Sequence, residues 1–295
     1  AWDLGAVVTP LILPPEGALA VALDQTEEGE TWWVKPHCSS VDGRLWSPGV
    51  KAGVSPGSTS HRTEFFGPVL AVMEASSLEE AIEYANDTDY GLTAGLHSLD
   101  EREQEFFVET MDAGNLYVNR TMTGAIVARQ PFGGRKASCF GPGAKAGGPN
   151  YVTQFAGACD VPAEGEQRVT HPALPPILER VSLGLMKFVG DAEGRNLQAM
   201  LASYFEAYQS HFGISHEFVT VRGEDNLFRY QPVGSMAVVV GKFANRIDVA
   251  RVVVAGLIVG TRFRVYICPE HGSWRDPLEA NLGPARLARL GDLDS

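Results

Sequence analysis

Apolar and polar positions change period repeatedly between residues 69 and 119. Val69 to Glu74 is a short apolar run of the kind that forms a buried strand. Ser77-x-x-Glu80 is a capping box, and Leu78, Ala81, Ile82 and Ala85 share one face of the helix it opens. Asn86 to Gly91 ends that helix, and Leu92 to Leu96 predicts a second short strand. Ser98-x-x-Glu101 is a second box, opening a helix to about Asp112 with Gly114 as its stop signal, and Leu116 to Asn119 predicts a third strand. Strands alternating with helices predict a parallel α/β sheet. Trp2 to Gly57, rich in Gly, Pro and Trp, predicts short strands and loops, and Tyr151 to Phe155 one further strand.

Gly157 to Pro176 is proline-rich and polar and has no period, which marks a linker. Beyond it, Leu197, Leu201, Tyr204, Phe205 and Tyr208 keep helical spacing over about Arg195 to His211. Met236 to Val240, Ile247 to Val259 and Phe263 to Cys268 then form a βαβ pattern. The expected fold is α/β with three parts. Residues 1–156 form a catalytic-type unit with a parallel sheet, 157–176 a linker, and 177–295 a smaller, Rossmann-like α/β domain. No glycine fingerprint accompanies the second βαβ unit.

The net charge of −12 argues against nucleic acid as the main partner, because phosphate contacts need a basic face. No apolar run reaches the roughly 18 residues that span a bilayer. The most apolar run, Ile247 to Ile258, is broken by Asp248 and Arg251. Cys38, Cys139, Cys159 and Cys268 match no zinc spacing, the histidines show no metal pattern, and a reduced, cytoplasmic protein is expected. The chain starts at Ala1-Trp2 without an initiating Met or signal peptide, as a cut from a longer polypeptide would.

Three motifs stand out, and two of them carry chemistry. In Thr63-Glu64-Phe65-Phe66-Gly67-Pro68-Val69-Leu70, a carboxylate suited to the vicinal hydroxyls of a ribose stands two residues before an aromatic suited to packing on a flat ring. By itself this is also what a surface Glu before a buried Phe and a Gly-Pro turn looks like. Gly114-Asn115-Leu116-Tyr117-Val118-Asn119-Arg120 leads to Thr123-Gly124-Ala125-Ile126-Val127 and Gln130-Pro131-Phe132-Gly133-Gly134. Consecutive amides in a glycine turn can form an anion-binding nest. Phe140-Gly141-Pro142-Gly143-Ala144-Lys145-Ala146-Gly147-Gly148-Pro149-Asn150-Tyr151 is glycine-rich but fits no phosphate-loop pattern and reads as structural. Cys38 lies next to His37, but Pro36-His37-Cys38-Ser39 is in the wrong place and context for a nucleophile.

These motifs resemble the NAD(P)-dependent aldehyde dehydrogenases. The Thr-Gly-Ala-Ile-Val stretch resembles more narrowly the L-glutamate-γ-semialdehyde (1-pyrroline-5-carboxylate) dehydrogenases, including the bifunctional proline utilisation A proteins. The resemblance runs over residues 1 to about 156. It implies that Glu64 holds the nicotinamide ribose of NAD and that Phe66 borders the ring. It also implies that Thr123, Gly124 and Ala125 bind the substrate α-carboxylate and that Phe132 packs on its aliphatic part. The Gly141–Tyr151 run would lead into an oligomerisation strand. Arg135 stands where a bulky apolar residue is more usual. From about residue 171 the chain resembles the extra C-terminal domain of longer proline utilisation A proteins, best over Gly223 to Gly234, and a non-catalytic role is implied there. No residue matches the family's nucleophilic Cys or oxyanion Asn, which the resemblance places upstream, and no metal site is implied. A homo-oligomer and a fused or associated FAD-dependent proline dehydrogenase domain are further expectations. The rival expectations are a dehydrogenase of another acidic aldehyde, or a truncated homologue serving as an assembly module.

Overall fold

A computed structural model describes residues 11–140, 144–157 and 174–289. The chain divides into two compact units, Ala1–Ala156 and Gly157–Ser295.

The first unit opens with α1 (Gly17–Asp24), where loops and strands were expected. The Gly-Ala-Leu-Ala-Val-Ala-Leu-Asp run buries Ala22 and Leu23 and needs only this short helix to do so. β1 (Thr31–Val34) pairs antiparallel with β2 (Gly49–Ala52) and is bulged between Trp32 and Val34. A four-residue helix, α2 (Thr59–Arg62), precedes β3 (Val69–Ala71), which lies parallel to β2. α3 (Leu78–Asn86), β4 (Tyr90–Gly91), β5 (Thr93–Leu96), α4 (Glu101–Thr110) and β6 (Asn115–Val118) follow. β5 and β6 pair in parallel from Thr93 opposite Asn115 to Leu96 opposite Val118, so β5–α4–β6 is a crossover unit. β7 (Arg135–Lys136) closes antiparallel on β4. Ile82, Ala94, Phe107, Met111 and Ala113 form the core between these helices and strands.

Local chemistry adjusts the predicted boundaries. Ser77 caps α3 by accepting from Glu80 N, but the Glu80 carboxylate returns to Ser76, not to Ser77. Leu78 and Ile82 turn inward, while Ala81 and Ala85 are exposed. The helix rolls onto the 78–82–86 line because Asn86 Nδ2 donates to Thr110 O and its Oδ1 accepts from Asp112 N. The second capping box does not form. Asp100 caps α4 by accepting from Arg102 N, and Ser98 Oγ binds Glu103 instead. Tyr151 to Phe155 is not a strand. Lacking a paired edge among the described residues, it satisfies itself locally as a 3₁₀ turn, Val152–Phe155, with Thr153 Oγ1 donating to Asn150 O.

The second unit begins with α5 (Pro176–Val189), with Pro in its first turn, and α6 (Asp191–Ala207), which runs into one π-helical turn at Tyr208–Phe212. β8 (Ser235–Val240), α7 (Arg246–Ile258), β9 (Arg262–Ile267), α8 (Arg275–Leu282) and β10 (Leu287–Arg289) complete it. The sheet is parallel, in the order β10-β9-β8. Leu185, Leu197, Val240, Val253, Val265 and Leu278 are fully buried in its helix-covered face. α5 and α8 approach so closely that a Cβ at Gly184 would overlap the Asn281 side chain. The segment likened to a longer protein's C-terminal domain, 223–234, is the irregular lead-in to β8, and His216 pairs with Phe228 across it.

Hydrogen bonds from the Ser76 hydroxyl, the Tyr84 hydroxyl and the Ser76 amide hold the exposed Glu80 carboxyl down at about 2, from an ordinary 4.5. Its folded pKa is depressed, so its contribution is complete above about pH 4.5 and fades as pH falls toward 2. The urea-midpoint difference between the parent and Glu80→Ala should be constant near neutral pH and shrink steadily below about pH 4.5. A difference that stays constant into the acid range would contradict this role for Glu80.

Candidate functional site

The Glu64 loop stands on a rigid base. Ser58 caps α2, and Thr59 N donates to Glu27 Oε2 at 3.0 Å. Glu27 N donates to Glu30 Oε2 at 2.9 Å, and Lys51 Nζ lies 3.3 Å from the same oxygen and 3.5 Å from Ser60 Oγ. The Lys51 and Glu30 side chains are only 3% and 1% exposed, and the Lys51 ammonium also lies over the Trp32 ring. Burial pushes the Glu30 carboxyl up, but hydrogen bonds from Ser60, the Glu27 amide and Lys51, with the Lys51 charge, outweigh it and hold the carboxyl below its usual range. On the other side of α2, His61 Nδ1 accepts from Gly57 N, which leaves Nε2 to donate to Tyr84 O at 2.8 Å. Arg62 pairs with Asp87.

One residue past this base, Glu64 is exposed, and Phe66 is 83% exposed with φ +49°. A left-handed, solvent-facing phenylalanine is strained and apolar at once, an arrangement that persists where the surroundings impose it and that clusters at functional sites. Gly67 explains how it is imposed. A Cβ there would come within 2.3 Å of Leu19 Cδ1, so α1 presses directly on the loop backbone. Glu64 and Phe66 border one hollow of about 340 Å³ whose wall also includes Lys51, Ser60, Phe65 and Gly67.

The second group of residues lies between β6 and β7. Gly124 has φ +82°, and a Cβ there would meet nothing within 4 Å, so the turn is open. Thr123 is exposed and Ala125 half-buried. With its amide turned to donate, Gln130 reaches Gly124 O at 3.3 Å and accepts from Arg120 Nη1 at 2.5 Å. Sequence reasoning assigned neither Gln130 nor Arg120 a part, although both lie in the quoted motif. Phe132 is half-exposed and pairs through both backbone groups with Ala146, at 3.0 and 2.9 Å.

The remaining candidates resolve simply. His37 Nδ1 faces Ser47 Oγ at 2.8 Å, and the Cys38 thiol donates to Ser40 O, so this pair is not a nucleophile with its base. Arg135 makes an ion pair with Asp112 Oδ1 at 2.6 Å. Gly141, Pro142, Gly143 and Cys159 lie outside the described residues. Among the described residues no group of His, Cys, Asp or Glu could hold a metal ion, and no helix is long and apolar enough to cross a membrane.

Residues 17–159 match the family model described as the aldehyde dehydrogenase family. The chain is 46% identical over 117 residues to a 1-pyrroline-5-carboxylate dehydrogenase of Bacillus pumilus, covering 38% of this chain and 21% of that protein. It is 42% identical over 110 residues to 1-pyrroline-5-carboxylate dehydrogenase 2 of Bacillus subtilis, again covering 21% of the relative. The structure of proline utilization A from Corynebacterium freiburgense matches with a TM-score of 0.75 and 40% identity, over 88% of this chain and 26% of that one. The chain therefore spans about a fifth to a quarter of these proteins, and the structural likeness extends beyond the residues that the family model covers.

The buried pair beneath Glu64 gives a direct test of its base. Lys51→Met leaves the Glu30 carboxylate buried without its cation and should destabilise the chain by about 3–5 kcal/mol, whereas adding Glu30→Leu should recover most of the loss. Urea titration of the parent, single and double variants measures this. A single variant as stable as the parent would show that the pair does not hold α2.

Proposed function

We propose that this chain, whose residues 17–159 match the aldehyde dehydrogenase family model, is the C-terminal portion of an NAD-dependent L-glutamate-γ-semialdehyde dehydrogenase of the proline utilisation A type. The observation that carries this reading is the Glu64–Phe66 loop, in which a carboxylate and a strained aromatic are held exposed at one hollow by a rigid base. A carboxylate accepts from two vicinal hydroxyls and a phenyl ring packs on a flat heterocycle, so the pair fits the ribose–nicotinamide half of NAD. When bound, NAD⁺ would supply the oxidant for converting the aldehyde to the acid. Glu64 would fix the ribose, and Phe66 would border the ring and shield it from water. The Thr123-Gly124-Ala125 turn would present backbone N–H groups to the substrate α-carboxylate, with Gln130 holding Gly124 and Arg120 adding positive charge nearby. Phe132 would cover the aliphatic carbons. The nucleophilic thiolate and the oxyanion donor are assigned to no residue of this chain.

Identity of 42–46% to 1-pyrroline-5-carboxylate dehydrogenases over 110–117 residues supports the acidic substrate. The likeness to a proline utilization A structure supports a proline dehydrogenase domain on the same polypeptide.

Two variants test the assignments in an enzyme long enough to include the nucleophile. Glu64→Gln should raise the KM for NAD⁺ and lower turnover by roughly tenfold, the loss of a charge-assisted hydrogen bond worth about 1.5–3 kcal/mol. Unchanged NAD⁺ kinetics would remove Glu64 from the cofactor site.

Gly124→Val meets no steric obstacle in the fold but must adopt φ +82° and places a branched side chain where the ligand approaches. Its kcat/KM for the semialdehyde should fall at least about tenfold, while an uncarboxylated aldehyde of similar length is affected less. Equal losses for the two aldehydes would make the turn structural. The 295-residue chain alone, run as the control, should form no NADH.

A further inference from the structure

Lys145 lies in the glycine-rich run that sequence reasoning treated as structural. Its ammonium sits in a cage of three oxygens: Gly114 O at 2.5 Å, Gly133 O at 2.6 Å and Asn115 Oδ1 at 3.1 Å. The backbone around the cage is as close as it can be. A Cβ on Gly114 would lie 1.9 Å from Gly133 O, so these two glycine segments touch without side chains between them. Two peptide carbonyls turned toward one point repel each other unless a cation or strong donor stands between them. Asn115 completes the arrangement. Its Oδ1 also accepts from Gly133 N at 3.2 Å, and its Nδ2 donates to Pro131 O at 3.0 Å.

The cage therefore grips Pro131 and Gly133, the two residues that flank Phe132. Phe132 itself is laddered through its backbone to Ala146, the neighbour of Lys145. Main chain and side chain of one short segment thus hold Phe132 from both directions. Keeping a cation here is costly: burial, and then the positive charge of Arg135, push the Lys145 amine down to about 8. Asp112, paired with Arg135, is the carboxylate on this side. A surface lysine would carry its charge without that penalty.

We infer that Lys145 is a positioning residue, whose ammonium binds the β6 entry to the Gly133 turn and so sets where the Phe132 ring meets the substrate. The effect on substrate rests on the function proposed above.

The test uses Lys145→Met, which keeps the length of the side chain without donors, and Lys145→Arg, which restores a cation. In the 295-residue chain, amide hydrogen exchange at Phe132 and Gly133 should accelerate by at least about tenfold in Lys145→Met, while amides of α5, α6 and α7 are unchanged. Lys145→Arg should restore most of the protection. In the long enzyme, Lys145→Met should raise the KM for the semialdehyde by at least about fivefold, leave the KM for NAD⁺ within about twofold, and be partly rescued by Lys145→Arg. Unchanged exchange at Gly133 together with an unchanged semialdehyde KM overturns the inference. So does a uniform rise of exchange across the first unit with both KM values moving together, which would make Lys145 a general support. If the parent long enzyme does not oxidise the semialdehyde, the proposed function falls by itself, and the exchange experiment still decides whether Lys145 holds Phe132.

Discussion

The connections that carry the candidate site contain few ladder hydrogen bonds, so their carbonyls must be satisfied by side chains that reach in from elsewhere. The first unit solves this repeatedly with long polar residues. Lys145 takes Gly114 O and Gly133 O, Lys136 takes Asn86 O and Thr88 O, His61 takes Tyr84 O, and Asn119 takes Ser98 O. Each tie fixes a carbonyl with a side chain at least 12 residues away in sequence. The loops are therefore ordered without being strands or helices, which leaves Phe66 free to stand in an exposed, left-handed conformation and Gly124 in an open turn.

The two units rest on different physics. The second unit is an apolar core of leucine, valine and phenylalanine between helices and one parallel sheet, with helices covering the buried face of the strands. Burial of this kind is non-directional and tolerates conservative exchange. The first unit has a much smaller apolar core, and beneath the Glu64 loop it buries a Lys51–Glu30 ion pair. A buried pair contributes little net stability but penalises any arrangement that separates its partners. That property suits a loop whose geometry matters more than its stability, because a carboxylate and an aromatic ring bordering one hollow must keep their spacing.

Arg135 shows how this unit builds polar ties at an edge: it pairs with Asp112 where β7 lies antiparallel to β4. The adjacent Lys136 reaches the same carboxylate at 3.8 Å while donating to two carbonyls. Arg135, Lys136 and Asp112 thus form one polar network.

What the sequence determined by itself was the α/β class, the order of β3, α3, β5, α4 and β6, the second βαβ unit, and the likeness of residues 17–159 to the aldehyde dehydrogenase family model, because hydrophobic period and short motifs are local properties. It also marked Glu64, Phe66, Gly124 and Phe132 as positions of interest, since unusual residue types at fixed spacing are visible in one dimension. Only the tertiary structure decided what holds them. That Leu19 presses on Gly67, that Lys51 and Glu30 lie under α2, that Gln130 reaches Gly124, and that Lys145 closes on Gly114 and Gly133 are contacts between residues that no local period relates. Hydrogen-bond partners also moved the boundaries, because they outweigh preferences of a few tenths to about 1 kcal/mol. α3 rolled toward Asn86 for partners in a distant segment, whereas Asp100 displaced Ser98 as a cap and Tyr151 to Phe155 became a 3₁₀ turn on local hydrogen bonds.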